Sequence, residues 1–377
     1  MNHRRAFRSW LATGAVAGLA GIVAACGGGG SGSGGTLSFG GGDTPAPPSA
    51  VFAVTNLVSD GAAVPAAHTD THLVNGWGVA FNPQGYAWVA NNGTSTSTLY
   101  DGNGVAQPLV VGVPATMDAD PTGIVFNGTQ DFKVGSGAGA APAAFIFTGE
   151  AGMISGWSPT VSANTSITMY DGSADSKVYK ALAIGKFNNA NYLYAADFHN
   201  GRVDVFNGSF ALVTLAGNFV DPQLPAGYAP FGIQAIGSSI YVSYAKQQAG
   251  SDDEQGGAGL GALAVFDMGG NFVKQLVAPG GSLNAPWGIA MAPANFGVFS
   301  GALLVGNFGD GRINAFDAST GAMKGTLSKA DKTPIVIDGL WGIAFGNNLF
   351  NQPSTTLFFA AGPGDESHGL YGRIDVK

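Results

Sequence analysis

Trp341-Gly342-Ile343-Ala344-Phe345 is the last of six related segments in this 377-residue chain. The others are Trp77-Gly78-Val79-Ala80-Phe81, Thr122-Gly123-Ile124-Val125-Phe126, Lys180-Ala181-Leu182-Ala183-Ile184, Phe231-Gly232-Ile233-Gln234-Ala235 and Trp287-Gly288-Ile289-Ala290-Met291. Their second positions, 78, 123, 181, 232, 288 and 342, lie 45 to 58 residues apart. A repeat of that length, made of short β-rich runs, is the mark of a propeller.

Each segment is followed by a second apolar run: Tyr86–Asn91, Ala144–Thr148, Tyr192–Asp197, Ile240–Tyr244, Ala302–Asn307 and Thr356–Ala361. These are rich in Tyr, Phe, Val and Leu, the residues that suit a pleated, packed surface. Third runs include Arg202–Phe206, Ala262–Asp267, Arg312–Asp317 and Leu370–Val376. Turn-forming pairs such as Asn200-Gly201 and Asp310-Gly311 punctuate the runs. No stretch shows the 3.6-residue apolar period of a helix. The expected fold is all-β: a six-bladed β-propeller with four-stranded blades.

The ends of the chain predict how the ring closes. The sixth repeat supplies three strands before Lys377, and a strand-like run, Phe52–Val58, precedes the first repeat. If that run forms the outer strand of the last blade, every blade has four strands and the ring closes through the N-terminal strand. Closure protects sheet edges. Residues 51–377 are therefore expected to form a single domain.

Composition agrees with a large core. The chain is 45% hydrophobic with 24 Phe, and its 61 Gly are spread throughout. Its net charge is −8, and removing Arg4, Arg5 and Arg8 with a leader deepens this to −11. No basic surface is available for phosphate backbones, so nucleic-acid binding is not expected. The one cysteine, Cys26, excludes internal disulfides and a cysteine-based zinc cluster.

Residues 1–25 read as a signal peptide: a basic start, then the 13-residue apolar run Leu11–Val23, too short to span a bilayer as a helix. It ends Val23-Ala24-Ala25-Cys26, which looks like a bacterial lipobox with Cys26 as the lipidation site. Arg4-Arg5-Ala6-Phe7 also resembles a twin-arginine signal. Residues 26–50 make a Gly/Ser/Pro-rich tether. Gly27 stands where an Asp would retain a lipoprotein at the inner membrane. The expected address is the periplasm-facing outer membrane or the cell surface, with membrane contact through the lipid anchor only.

Asn56-Leu57-Val58-Ser59-Asp60, His68-Thr69-Asp70, Leu73-Val74-Asn75-Gly76-Trp77-Gly78, Ser97-Thr98-Leu99-Tyr100-Asp101-Gly102, Pro121-Thr122-Gly123 and Ile154-Ser155-Gly156-Trp157 resemble an uncharacterised bacterial family of exported β-propeller proteins. Some of its members carry a PEP-CTERM sorting tail. The similarity runs from Val51 to Lys377. This chain ends Gly372-Arg373-Ile374-Asp375-Val376-Lys377 instead of in a sorting helix, and carries the lipobox. The resemblance implies fold and export and leaves activity open. More distantly the repeats resemble six-bladed propellers of the NHL and lactonase types.

In an antiparallel blade the start of strand one and the end of strand two share a rim. One face of the disc should therefore gather Trp77, Thr122, Lys180, Phe231, Trp287 and Trp341 around the channel. Outside them should lie a collar: Asn91, Asn92, Glu150, Asp197, His199, Asn307, Asp310, Asp365, Glu366 and His368. An apolar floor with a few polar groups is the usual make of a ligand site. The rival reading is structural: recurring aromatics wedge neighbouring blades, and Asp and Asn after strands satisfy turns.

Catalytic signatures are weak. In the lactonase-type resemblance a divalent metal is held by Glu, Asn and Asp, chiefly from loops entering strand one. Here those positions offer almost no oxygen for calcium, so no cofactor is expected. His68, Asp70 and His72 are spaced like metal ligands but lack a helix to align them. No Gly-x-Ser-x-Gly nucleophile elbow occurs. A lyase would need His199, His368 and Glu366 to converge. The expectation is a non-catalytic binding or scaffold module that takes an envelope protein, glycan or small molecule on the channel rim. The alternative is a lactonase- or lyase-type enzyme using the collar.

Overall fold

The computed structural model describes residues 49–114 and 119–377. Among these, six antiparallel sheets form the six blades, and no α-helix occurs. The inner strands are Gly76–Phe81, Pro121–Phe126, Tyr179–Phe187, Tyr228–Ile236, Pro286–Met291 and Leu340–Phe345. Each packs against the next around the channel, the sixth against the first. The repeat segments thus become the innermost strands, and the six-bladed propeller with four-stranded blades is as the repeats predict.

The last blade contains both ends of the domain. Leu340–Phe345, Leu357–Ala361 and Leu370–Val376 are followed outward by Phe52–Ser59, which pairs antiparallel with Leu370–Val376. Val54 lies opposite Ile374, and Ser59 opposite Leu370. Two residues, His68–Thr69, add a fifth strand parallel to Phe52–Ser59. So short a strand leaves no periodicity to read.

The second strands explain their unbroken apolar composition. Ala87–Asn91, Phe145–Gly149, Leu303–Asn307 and Leu357–Ala361 are buried at every position. Both faces of these strands are covered by neighbouring blades, so no polar alternation survives.

The repeated glycine has a packing cause. A Cβ on Gly342 would lie 2.4 Å from the carbonyl oxygen of Trp77, and one on Gly232 would lie 2.0 Å from that of Trp287. Each inner strand thus approaches the backbone of the next blade more closely than any side chain permits. The Gly342–Trp77 approach is the ring closure itself.

Candidate functional site at the channel mouth

Every inner strand breaks register at the repeat position. The irregularities fall between Gly76 and Val79, Pro121 and Ile124, Tyr179 and Ala181, Pro230 and Ile233, Pro286 and Ile289, and Leu340 and Ile343. A bulge re-aims a side chain. Here the re-aimed residues include Trp77, Phe231, Trp287 and Trp341.

The four aromatics meet one another. Trp77 and Trp341 stack with centroids 3.5 Å apart, and Phe308 stacks on Trp341 at 3.9 Å. Trp287 stands edge-on to both indoles, at 6.1 and 5.9 Å, and Phe231 lies 5.7 Å from Trp341. Trp77 and Trp341 are 1% exposed, Phe231 0% and Trp287 9%. The expected open aromatic rim is instead a closed plug. The rings lie neither as wedges between single pairs of blades nor as a bare platform. Below them the channel narrows to a void of about 40 Å³ lined by Gly78, Gly123, Ala181, Gly288 and Gly342 among others.

A polar chain runs over the plug. Lys180 Nζ lies 2.6 Å from Glu150 Oε1 and 5.3 Å from the Trp77 ring. Asn92 Nδ2 donates to Glu150 Oε2 at 2.9 Å, and Asn75 Nδ2 donates to Asn92 Oδ1 at 3.1 Å. Asn75 Nδ2 also donates to Glu366 Oε1 at 3.0 Å. The indoles tie the plug to this chain. Trp341 Nε1 donates to Asn75 Oδ1 at 3.2 Å, and Trp287 Nε1 donates to the Lys180 carbonyl at 2.9 Å. Trp77 Nε1 is buried with no hydrogen-bond partner. Asn75 holds a left-handed backbone, φ 48°, which Asn tolerates better than most residues.

The electrostatics are those of a crowded acid site with one buried ammonium. Burial alone would lower the proton affinity of Lys180, but the pull of Glu150 and Glu254 outweighs it and the group is held above its ordinary value. Glu254 is pushed up to about 7, first by burial and then by Glu366, against the opposing pull of Lys180. Among the described residues no group of three His, Cys, Asp or Glu is placed to hold a metal. The arrangement can bind a polar or cationic group, and Glu254 can exchange a proton near neutrality.

Of the sequence-predicted site residues, Trp77, Lys180, Phe231, Trp287, Trp341, Asn92, Glu150 and Glu366 converge here. The others lie elsewhere. Asn91 is buried within blade one and donates to Thr96 and Thr98. Asp197 is buried in blade three with Asn200, 3.8 Å from Lys177 and 3.7 Å from Arg202; burial raises its pKa against the lowering bonds from Asn200. Asn307 donates to Ser282 and Asp310. His199 pairs with Asp252 at 2.5 Å on the surface, and His368 with Asp60 at 2.9 Å. Asp365 is exposed. His72 pairs with Asp70 at 2.9 Å, and Tyr100 donates to the other Asp70 oxygen. Cys26 lies outside the described residues.

Asn75 and Glu254 were absent from the predicted rim, while Lys180, Asn92 and Glu366 were expected on this face. Two signals mark the missing pair. Asn75 directly precedes Gly76-Trp77. Glu254 sits in residues 248–260, the longest connection between second and third strands in the molecule. Long loops on a rigid scaffold are where function concentrates.

No family model matches the sequence. The mimivirus protein R648, from Acanthamoeba polyphaga mimivirus and uncharacterised, is 34% identical over 319 residues, covering 82% of this chain and 76% of its own. The chain belongs to this family. A second mimivirus member, L690, is 32% identical over 338 residues and covers 86% of both chains. These relatives are viral, where the resemblance was to a bacterial family, some of whose members carry a sorting tail. Among solved structures, a catalytically inactive virginiamycin B lyase from Staphylococcus aureus with quinupristin superposes with a TM-score of 0.50 at 12% identity, covering 86% of this chain and 99% of that one. A Streptomyces coelicolor aldose sugar dehydrogenase gives 0.48 at 14% identity over 87% and 100%. The first of these two likenesses agrees with the propeller fold.

Proposed function

We propose that the protein is a lipid-anchored, extracytoplasmic propeller that binds a small cationic ligand at the channel mouth. The observation that carries this reading is the hydrogen-bonded chain Lys180–Glu150–Asn92–Asn75–Glu366 laid across a tryptophan plug. Three carboxylates, Glu150, Glu254 and Glu366, gather about the Lys180 ammonium. A mouth lined by carboxylates favours an ammonium over a neutral group. The Val23-Ala24-Ala25-Cys26 sequence supports lipidation and export.

The ligand class is tested with spermidine as a polyamine probe and glucose as a neutral one. The reading expects spermidine to raise the melting temperature at pH 8 more than at pH 5.5, because protonating Glu254 removes charge from the mouth. Glucose should do neither. Equal shifts with both probes, or none with spermidine, would overturn it.

A second reading has one observation in its favour. A carboxyl with a pKa near 7 is suited to general acid–base work. In that reading Glu254 moves a proton on the bound ligand while Lys180 and Trp77 Nε1 stabilise developing negative charge. Turnover abolished by Glu254→Gln with ligand binding retained would favour it.

A further inference from the structure

The face opposite the channel mouth has a different chemistry. Inner and third strands both end there. The six loops joining inner to second strands, residues 82–86, 127–144, 188–189, 237–238, 292–302 and 346–356, carry only Asp131 and Lys133 as charges. The corresponding second-to-third loops on the mouth face carry seven carboxylates and one arginine. The third-to-fourth loops on the opposite face add only Asp101 and Asp317, so one face is strongly acidic and the other sparsely charged.

The sparsely charged face is also where apolar side chains stand in solvent. Strand direction places Val105, Leu212, Val298, Met323, Leu349 and Phe350 on it, six of the nine exposed large hydrophobics among the described residues. Phe350 is 45% exposed and packs on Tyr86 at 4.2 Å. At the centre the channel opens as a funnel of about 460 Å³ whose wall includes Phe81, Phe126, Ile184, Ile236, Met291 and Phe345. Apolar surface gathered on one side of a soluble domain marks a contact surface.

The chain enters the propeller on this same face. The Ser49 carbonyl accepts a hydrogen bond from Val298 N at 2.9 Å, and Val51 lies beside Lys377. The apolar run Leu11–Val23 and Cys26 both precede that entry point. The 23 residues from Cys26 to Ser49 can extend about 80 Å at most.

We propose that this face seats on a zwitterionic lipid surface, with Phe350, Leu349 and Val298 entering the interface and the acidic mouth turned to water. Scarce charge argues against polybasic attraction to anionic lipid, and apolar insertion is the remaining force. The seven carboxylates on the other face disfavour the inverted orientation. The inference rests on the anchor reading only for delivery to the membrane. The contact itself is separate, and the test removes the anchor.

The full chain carrying Cys26→Ala has no native thiol. Phe350→Cys or Leu349→Cys in that background takes an environment-sensitive NBD label on the sparsely charged face, and Asp365→Cys takes one on the mouth face. With phosphatidylcholine vesicles, the label at 350 or 349 should brighten several-fold and shift to the blue, while that at 365 stays aqueous. Three results would overturn the proposal: no vesicle association, association with the labels at 350 and 349 still aqueous, or brightening without vesicles that grows with protein concentration. The last would assign the face to a second copy of the chain. Loss of lipidation at Cys26 in cells would bear on the anchor reading alone.

Discussion

Trp77, from the first blade, and Trp341, from the last, stack with ring centroids 3.5 Å apart and 17° between planes. The carbonyl of Trp77 is also the atom that forbids a side chain at Gly342. Ring closure and channel plug are therefore one contact. Replacing Trp341 by Ala should destabilise the domain by about 3–5 kcal/mol, the usual cost of deleting a buried large aromatic. Trp287→Ala, at the more open position, should cost less. Melting curves of the two variants check this; equal small losses would mean the plug is not part of the core.

Gly342→Val should destabilise the same seam by overpacking. Its side chain would displace the Trp77 backbone and open the seam between blades six and one, and overpacking of this kind costs about 1–3 kcal/mol or more. The same change at Gly201, with open space where its Cβ would lie but a positive φ of 65°, should cost only backbone strain. Denaturant midpoints for the two variants separate packing from strain.

Glu150→Gln takes away the carboxylate that salt-bridges the buried Lys180 ammonium. Breaking a buried pair from one side costs about 3–5 kcal/mol. Adding Lys180→Met to that variant should recover most of the loss, because the uncompensated charge is gone. A double variant no more stable than Glu150→Gln alone would show that the pair is not energetically coupled.

Glu254 makes stability depend on pH. Its carboxyl is raised from 4.5 to about 7 in the folded state. A raised group binds its proton more tightly when folded, so its contribution is full below the unfolded value and is lost as pH rises through the folded one. The melting temperature should therefore fall between about pH 4.5 and 7 through this group, and Glu254→Gln should flatten that part of the profile. An unchanged profile would place the titration elsewhere.

The fold was legible because closure repeats its own requirement. Five of six blades need Gly where the next backbone passes, and the period exposes the pattern. Phe52–Ser59 was legible because its partner, Leu370–Val376, otherwise ended a three-stranded blade. The plug was not. Strand polarity puts Trp77, Trp287 and Trp341 on one rim, but whether they open outward or meet depends on the register breaks and on how many of six positions are bulky. The collar was half legible for a related reason. Asn91, Asp197 and Asn307 are the last residues of their second strands, where the pleat turns them into their blades, whereas Glu150 lies one residue beyond its strand. Lys180 stood out as the odd member of the repeat, but its partners come from loops of blades two and four, with no fixed offset in sequence.

The measurement that bears most directly on the account is the affinity of spermidine for three proteins: the wild type, the Glu254→Gln/Glu366→Gln double variant, and Phe350→Asp on the opposite face. Calorimetric titration at pH 8 should show binding weakened at least about tenfold in the double variant, as removal of two facing charges from a cation site requires, with Phe350→Asp unchanged. Equal affinity in the double variant and the wild type would contradict a ligand site at the channel mouth.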